Sequence, residues 1–174
     1  IRYLTQDQPL GTAHAIRCAE QHIDDAFLVI YGDNIFTTGL VHHTKLIHEH
    51  TSNDTVATYA LHYEPDKEKL KEFGTAEVDD EHHITRIVEK SPTPASSYVV
   101  TGIMIFEPII FDVMKNPANW RKSPRDEYES HDYTNLLIQG GRIVNANIST
   151  SSWMDLTRPG DIQRANKMIK EIYS

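Results

Sequence analysis

Two aspartates in this sequence stand at the ends of apolar segments. Asp33 follows Phe27-Leu28-Val29-Ile30-Tyr31-Gly32, and Asp155 follows Trp153-Met154. A carboxylate at the carboxyl end of a strand can hold a divalent cation and, through it, phosphate oxygens. Two such carboxylates about 4 Å apart repel by roughly 1–4 kcal/mol at effective dielectrics of 80 to 20. A shared cation removes that repulsion, and Mg²⁺ accepts two protein carboxylates while keeping waters or phosphate oxygens as its remaining ligands. The plainer alternative is local. Gly32-Asp33-Asn34 then forms a tight turn, Asp155 enters the final helix, and the two stay far apart.

Other polar residues have chemistry to offer. Gln6 and Gly11 flank a loop before a helix; a planar amide can read a nucleobase edge, and a glycine lets a base lie against the backbone. The alternative is an ordinary loop with a breaker. Gly74 either opens the backbone to a ligand or caps a helix. In Glu89-Lys90 the carboxylate can take sugar hydroxyls and the ammonium a phosphate, as a point charge; the alternative is a solvated strand end. Thr101 interrupts an apolar run, so its hydroxyl needs a partner. His42, His43, His48 and His50 suggest a metal, but no pair among them has the four-residue spacing of a helical zinc site. Cys18 is the single cysteine, so no thiolate zinc site or internal disulfide follows. There is no G-x-S-x-G, no P-loop and no G-x-G-x-x-G.

The elements that must carry these residues alternate. Tyr3 to Gln6 reads as a short strand, and Thr12 caps a helix to about Gln21. Phe27 to Tyr31 has the continuous apolar character of a parallel strand covered on both faces. Thr37-Thr38-Gly39 begins a helix to about His50, with Leu40, Leu46 and Ile47 inward; then come a buried strand at 54–61 and a short charged helix or turn at 66–73. Thr75–Val78 and Ile84–Val88, joined by a polar turn, read as an antiparallel hairpin. Tyr98 to Phe106 is a long buried strand with Gly102 marking a bulge or close approach. A helix begins at Pro108. A polar loop carrying Trp120, Arg121, Lys122 and Arg125 leads to a helix over 128–139, ended by Gly140-Gly141. A strand at 142–148, a short loop with Trp153-Met154-Asp155, and a last helix from Arg158 complete the chain. The pattern predicts an α/β fold, a Rossmann-like, mostly parallel mixed sheet flanked by helices with one inserted β-hairpin, in a single domain spanning 1–174.

Composition narrows the function classes. The 174 residues carry a net charge of -8, which disfavours nucleic acid and anionic membrane surfaces because both need basic patches. A phosphorylated substrate needs only a local cluster of cations. No apolar run approaches the roughly 20 residues of a membrane helix, and the lone cysteine fits a reducing, cytoplasmic compartment. The chain does not begin with Met.

Taken in order, several stretches resemble the sugar-1-phosphate nucleotidyltransferase family, in particular its glucose-1-phosphate thymidylyltransferases and uridylyltransferases. They are Gln6 with Pro9-Leu10-Gly11-Thr12-Ala13-His14-Ala15-Ile16, the Gly-Asp-Asn run from Phe27 to Phe36, and Phe73-Gly74-Thr75-Ala76-Glu77-Val78. Ile87-Val88-Glu89-Lys90, Tyr98 to Phe106, and Trp153-Met154-Asp155 continue the match. The resemblance implies that Gln6, Gly11 and Gly32, with Asp33, contact the nucleotide, that Asp33 and Asp155 hold a catalytic Mg²⁺, and that Gly74, Glu89, Lys90 and Thr101 receive the sugar and its phosphate. Asp33, Asp155 and Lys90 would be the catalytic set. It further implies a nucleoside triphosphate (dTTP or UTP) and a hexose-1-phosphate as substrates, and homo-oligomers in many members. This sequence departs from the family pattern at Ser91, where a proline commonly follows Glu-Lys, and at Leu156-Thr157, where a glycine usually stands second after the aspartate. The family's Gly-rich triphosphate-gripping loop has no counterpart here, so a partial sequence with little activity of its own and poor solubility is expected. A non-catalytic nucleotide-sugar-binding subunit and a metal-dependent glycosyltransferase are the rival readings.

Overall fold

The structure is a computed structural model, and it describes residues 1–36, 46, 50, 55–149 and 153–172, with side chains as far as 170. Its organising strand is β6, Tyr98–Phe106, buried along nearly its whole length. On one edge β6 pairs antiparallel with β3, Ala57–Tyr63. Its other edge is shared by two strands placed end to end. β1, Phe27–Ile30, pairs with residues 103–106, and β4, Thr75–Val78, meets β6 at Val99. Beyond β4 lies β5, Ile84–Val88, and beyond β3 lies β7, Val144–Ser149.

The α/β class, the mixed sheet and the inserted hairpin β4–β5 are thus as the sequence predicts. Among the described residues the parallel pair is β3 with β7. The registers make β1, β3, β4 and β7 run one way, with β5 and β6 opposed. The reversal of β5 follows from connectivity. A two-strand hairpin reverses direction without a helix, whereas a parallel return needs a crossover of a dozen or more residues.

Helices cover one face of this sheet. They are α1 (Thr12–Arg17), α3 (Ile109–Lys115) and α4 (Ser130–Gln139). Ala13, Ile16, Ile110, Phe111, Met114, Tyr133 and Leu137 meet Tyr59, Leu61, Met104 and Phe106 in the main core. Full burial of each large side chain stabilises by about 1.5–3 kcal/mol relative to exposure. Tyr59 buries its hydroxyl against Thr134 Oγ1 at 2.6 Å, so no polar atom is stranded there. The second face holds a smaller core of Leu46, Ala60, Ile103 and Ile105. A short helix α2, Lys67–Leu70, is capped by the Asp66 side chain, and α5, Pro159–Ile172, closes the chain.

Several expectations need correction. β1 is not covered on both faces: Leu28 is 36% and Ile30 51% exposed. Its register sets them beside Ile105 and Ile103, but the small second core does not extend over them. Tyr3 to Gln6 forms no strand, because no described strand pairs with it. Gly11, not Thr12, is the N-cap of α1, and the Thr12 hydroxyl instead accepts from Ser130 N at 3.0 Å. Trp153-Met154-Asp155 is not a loop. It is strand β8, paired antiparallel with β2, Asn34–Phe36, in a separate two-stranded sheet. The helix expected over 37–50 lies outside the described residues apart from Leu46 and His50, as do His42, His43 and His48. His50 is buried, with Nδ1 2.9 Å from Thr58 Oγ1 and Nε2 3.2 Å from Glu107 Oε1, so its ring nitrogens are occupied within the protein.

Candidate active site

The cleft follows from the way two strands share one edge of β6. β1 ends at Ile30, opposite Ile103, and β4 begins at Thr75, opposite Val99. Gly102 lies in the gap between them. A cavity of about 550 Å³ opens there, lined by Tyr31, Asp33 and Asn34 after β1, by Gly74, by Thr101 and Gly102, by Glu89 and Lys90 after β5, and by Asp155. A cleft at the carboxyl end of β1 is where the sheet rule expects a ligand.

Asn34 builds the turn that holds Asp33, a role not read from the sequence. Its Oδ1 accepts from Trp153 Nε1 at 2.6 Å and from Gly102 N at 3.3 Å, while its Nδ2 donates to Asp33 Oδ1 at 2.7 Å. Tyr31 N also donates to Gly102 O at 2.7 Å. This approach requires a glycine, since a Cβ on Gly102 would sit 2.4 Å from Asn34 Nδ2 and 2.7 Å from Tyr31 Cβ. Gly102→Ala should therefore lower Tm by roughly 3–10 °C, through the ~1–3 kcal/mol cost of overpacking, and displace Asp33. Thermal melting with an unchanged midpoint would contradict the packing described here.

The β2–β8 ribbon brings the two aspartates together. Asn34 pairs with Asp155, and Leu156 N donates to Asp33 O at 2.8 Å. Burial pushes the Asp155 carboxyl above the ordinary range; the Thr157 hydroxyl donates to it and opposes the rise, while the charge of Asp33 adds to it. Among the described residues, no group of three or more His, Cys, Asp or Glu is placed to hold a metal. Two carboxylates lining one cleft nevertheless fit Mg²⁺, which needs few protein ligands when substrate oxygens and water complete its shell.

Glu89 and Lys90 form another wall. Thr75 opposes Val88, so Glu89 leaves β5 beside Gly74. A Cβ at Gly74 would stand 2.7 Å from Glu89 Oε2. The end of β5 is stapled to α4 by Asn135, which accepts from Ile87 N at 2.9 Å and donates to Ile87 O at 2.7 Å. Lys90 has φ of 44°, in the left-handed region, and its N–H donates to Phe73 O at 3.1 Å. A lysine costs free energy in that conformation, and such outliers cluster at functional sites. The Thr101 hydroxyl donates to Ala60 O at 2.7 Å, so its partner is the neighbouring strand β3.

Further residues on this wall carry no signal of their role in the sequence. Arg125, from the polar loop, places Nη1 3.3 Å from Glu89 Oε1 and 3.4 Å from Glu129 Oε1. His131 on α4 puts Nδ1 3.3 Å from Glu89 Oε2. Burial works to raise the Glu89 carboxyl, but His131, Lys90 and Arg125 outweigh it and hold the group below its ordinary range. Burial and the charge of Glu89 push Glu129 up. Arg158, bonded to both oxygens of Glu72 at 2.8 and 2.9 Å, adds to the rim.

Gln6 and Gly11 sit together at the start of α1, outside the cavity lining. Gln6 Nε2 donates to Gly11 O at 3.2 Å and lies 2.9 Å from His14 Nδ1. Gly11 has φ of 108°, and a Cβ there would come within 2.6 Å of the Tyr128 backbone. Thr12, the next residue, does line the cleft. Gly32 faces open space between Tyr31 and Asp33. A second cavity of about 360 Å³, walled by Leu10, Arg17, Met114, Trp120, Tyr128 and Tyr133, contains none of the candidate catalytic, nucleotide-binding or sugar-binding residues.

Comparison with known proteins identifies the family. A family model described as nucleotidyl transferase matches residues 1–172. The chain is 33% identical over 173 residues to the low-salt glycan biosynthesis nucleotidyltransferase Agl11 of Haloferax volcanii, covering 98% of this chain and 46% of that protein. It is 33% identical over 174 residues to the UTP–glucose-1-phosphate uridylyltransferase AglF of the same organism, covering 98% of this chain and 68% of that protein. Among solved structures, one described as a glucose-1-phosphate thymidylyltransferase from Bacillus anthracis, in complex with sucrose, superimposes with a TM-score of 0.79 at 30% identity, over 95% of this chain and 63% of that one. The chain thus spans about half to two thirds of the length of these relatives.

Proposed function

The chain belongs to the nucleotidyl transferase family, and on that premise we propose that it transfers a nucleotidyl group from dTTP or UTP to a hexose-1-phosphate. Glucose-1-phosphate is the acceptor we favour, with a nucleotide sugar and pyrophosphate as products. The observation that carries the reading is that one cleft collects Asp33, Asp155, Gly74, Glu89, Lys90 and Thr101 from five separate stretches of sequence.

In this reading a phosphate oxygen of the sugar phosphate attacks the α-phosphorus in line, and the α–β bridging oxygen leaves with pyrophosphate. The protein contributes positioning and charge neutralisation rather than covalent chemistry. Lys90 binds the attacking phosphate, and Arg125 adds a second cation on the same wall. Glu89, held ionised, accepts hydrogen bonds from sugar hydroxyls. Gly74 offers its backbone to the sugar, and Thr101 reaches it through the main chain, its hydroxyl being bonded to Ala60. Gln6 and Gly11 contact the base, and Gly32 leaves room for the nucleotide beside Asp33. Asp33 and Asp155 hold Mg²⁺, which when bound neutralises charge developing on the α-phosphate.

No described helix is long and apolar enough to cross a membrane. We place the reaction in the cytoplasm, with no nucleic-acid or membrane partner and with homo-oligomeric assembly. The test is pyrophosphate release by the protein as the cell makes it, with UTP or dTTP and glucose-1-phosphate. Release is expected only when both substrates and Mg²⁺ are present. Release that ignores the sugar phosphate would point to hydrolysis instead.

A further inference from the structure

His131 is the least comfortable side chain in the cleft wall. The residue is 9% exposed, and among the described residues neither ring nitrogen makes a hydrogen bond. Its Nδ1 lies 3.3 Å from Glu89 Oε2, at ion-pair distance. Leaving buried donors or acceptors unmade costs stability, whereas an apolar group of similar shape would not carry that cost. The ring is also tightly placed. A Cβ on Gly74 would come 3.1 Å from His131 Cε1 and 2.7 Å from Glu89 Oε2, so the glycine, the imidazole and the carboxylate are packed against each other. The Tyr59 ring stands behind, with centroids 6.0 Å apart.

We propose that His131 is a positioning residue of the sugar subsite: it braces the Glu89 carboxylate against Gly74, in the single orientation from which a hexose hydroxyl is bound. The inference rests on the transferase reading above. Glu89 has two braces. Arg125 takes Oε1 and His131 stands at Oε2, which fixes the plane of the carboxylate and leaves its other lone pairs to a ligand. The remaining charges around the pair are Lys90, Glu129 and Asp132. A hexose hydroxyl donating to Glu89 then meets a carboxylate already set by both braces.

The test compares His131→Leu with His131→Asn, which keeps a donor, in the protein as the cell makes it. For His131→Leu the KM for glucose-1-phosphate should rise about tenfold or more, the KM for the triphosphate should stay within about twofold, and Tm should hold or rise. His131→Asn should recover most of the lost affinity. A merely space-filling ring predicts otherwise: a lower Tm or failure to fold, both KM values moving together, and no advantage for asparagine. Any of those results, or an unchanged sugar KM, overturns the proposal. Should the parent show no turnover, the transferase reading falls, and calorimetric binding of glucose-1-phosphate reads the same contrast. Tenfold weaker binding by His131→Leu then supports the brace. Equal binding by the two proteins, or none by the parent, overturns it.

Discussion

Replacing Asp155 by asparagine should cut kcat/KM for nucleotidyl transfer about 10³-fold, or ~4 kcal/mol of transition-state stabilisation, without destabilising the fold. The two halves of this expectation have different origins. Activity falls because one of two anionic oxygen ligands is replaced by a neutral amide. Stability holds because Asp155 is an uncomfortable anion in the ligand-free protein. Burial and Asp33 raise its pKa in the folded state, so the unfolded chain gives up that proton more readily, and folding is disfavoured as pH rises. Near neutral pH the asparagine variant should match or exceed the parent in Tm; well below the carboxylate range the difference should vanish. Thermal melting at both pH values checks the sign, and steady-state kinetics checks the loss. A variant that is both active and unchanged in stability would return Asp155 to a purely local role beside Thr157.

Loss of the Lys90 ammonium should raise the KM for the hexose-1-phosphate by roughly 100-fold while leaving the KM for the triphosphate within about twofold, since a charge-assisted contact to phosphate is worth about 1.5–3 kcal/mol. Two variants separate the charge from the backbone. Lys90 stands at φ 44°. Lys90→Ala removes the ammonium and keeps the strained conformation, whereas Lys90→Gly removes the ammonium and relaxes it by about 1 kcal/mol. Both should lose sugar-phosphate affinity alike, and the glycine variant should melt higher than the alanine one. Were the lysine only an exposed surface residue, both would keep parental kinetics. Parental kinetics in the alanine variant with impaired kinetics in the glycine variant would locate the function in the backbone instead of the charge.

How much of this could be read from the sequence differs between fold and site. β6 and the β4–β5 hairpin were legible to the residue because local signals bound them: a long apolar run interrupted only by Thr101 and Gly102, and two short segments on either side of a polar turn. β8 was not legible. Three residues are too few to show a period, and its partner Asn34–Phe36 is more than a hundred positions away. The meeting of Asp33 and Asp155 was therefore a conjecture from their places at the ends of apolar segments, and the ribbon that joins them supplies its physical cause. Asn34, Arg125 and His131 escaped notice for a related reason. Each acts through a neighbour brought by tertiary structure, namely Trp153 and Gly102 for Asn34, and Glu89 for the other two. The continuous apolar run of β1 suggested cover on both faces, yet Leu28 and Ile30 show that a run of this kind reports what a strand can bury, not what lies over it.

The most direct measurement follows the α-phosphate itself. The protein as the cell makes it is given UTP or dTTP labelled at the α-phosphorus, together with unlabelled glucose-1-phosphate and Mg²⁺, and the products are separated. The account predicts that the label moves into a nucleotide sugar while unlabelled pyrophosphate is released in equal amount, and that Asp33→Asn and Asp155→Asn both slow the transfer about 10³-fold. Label appearing only in free nucleoside monophosphate, or remaining in the triphosphate while the sugar phosphate is bound, would contradict it.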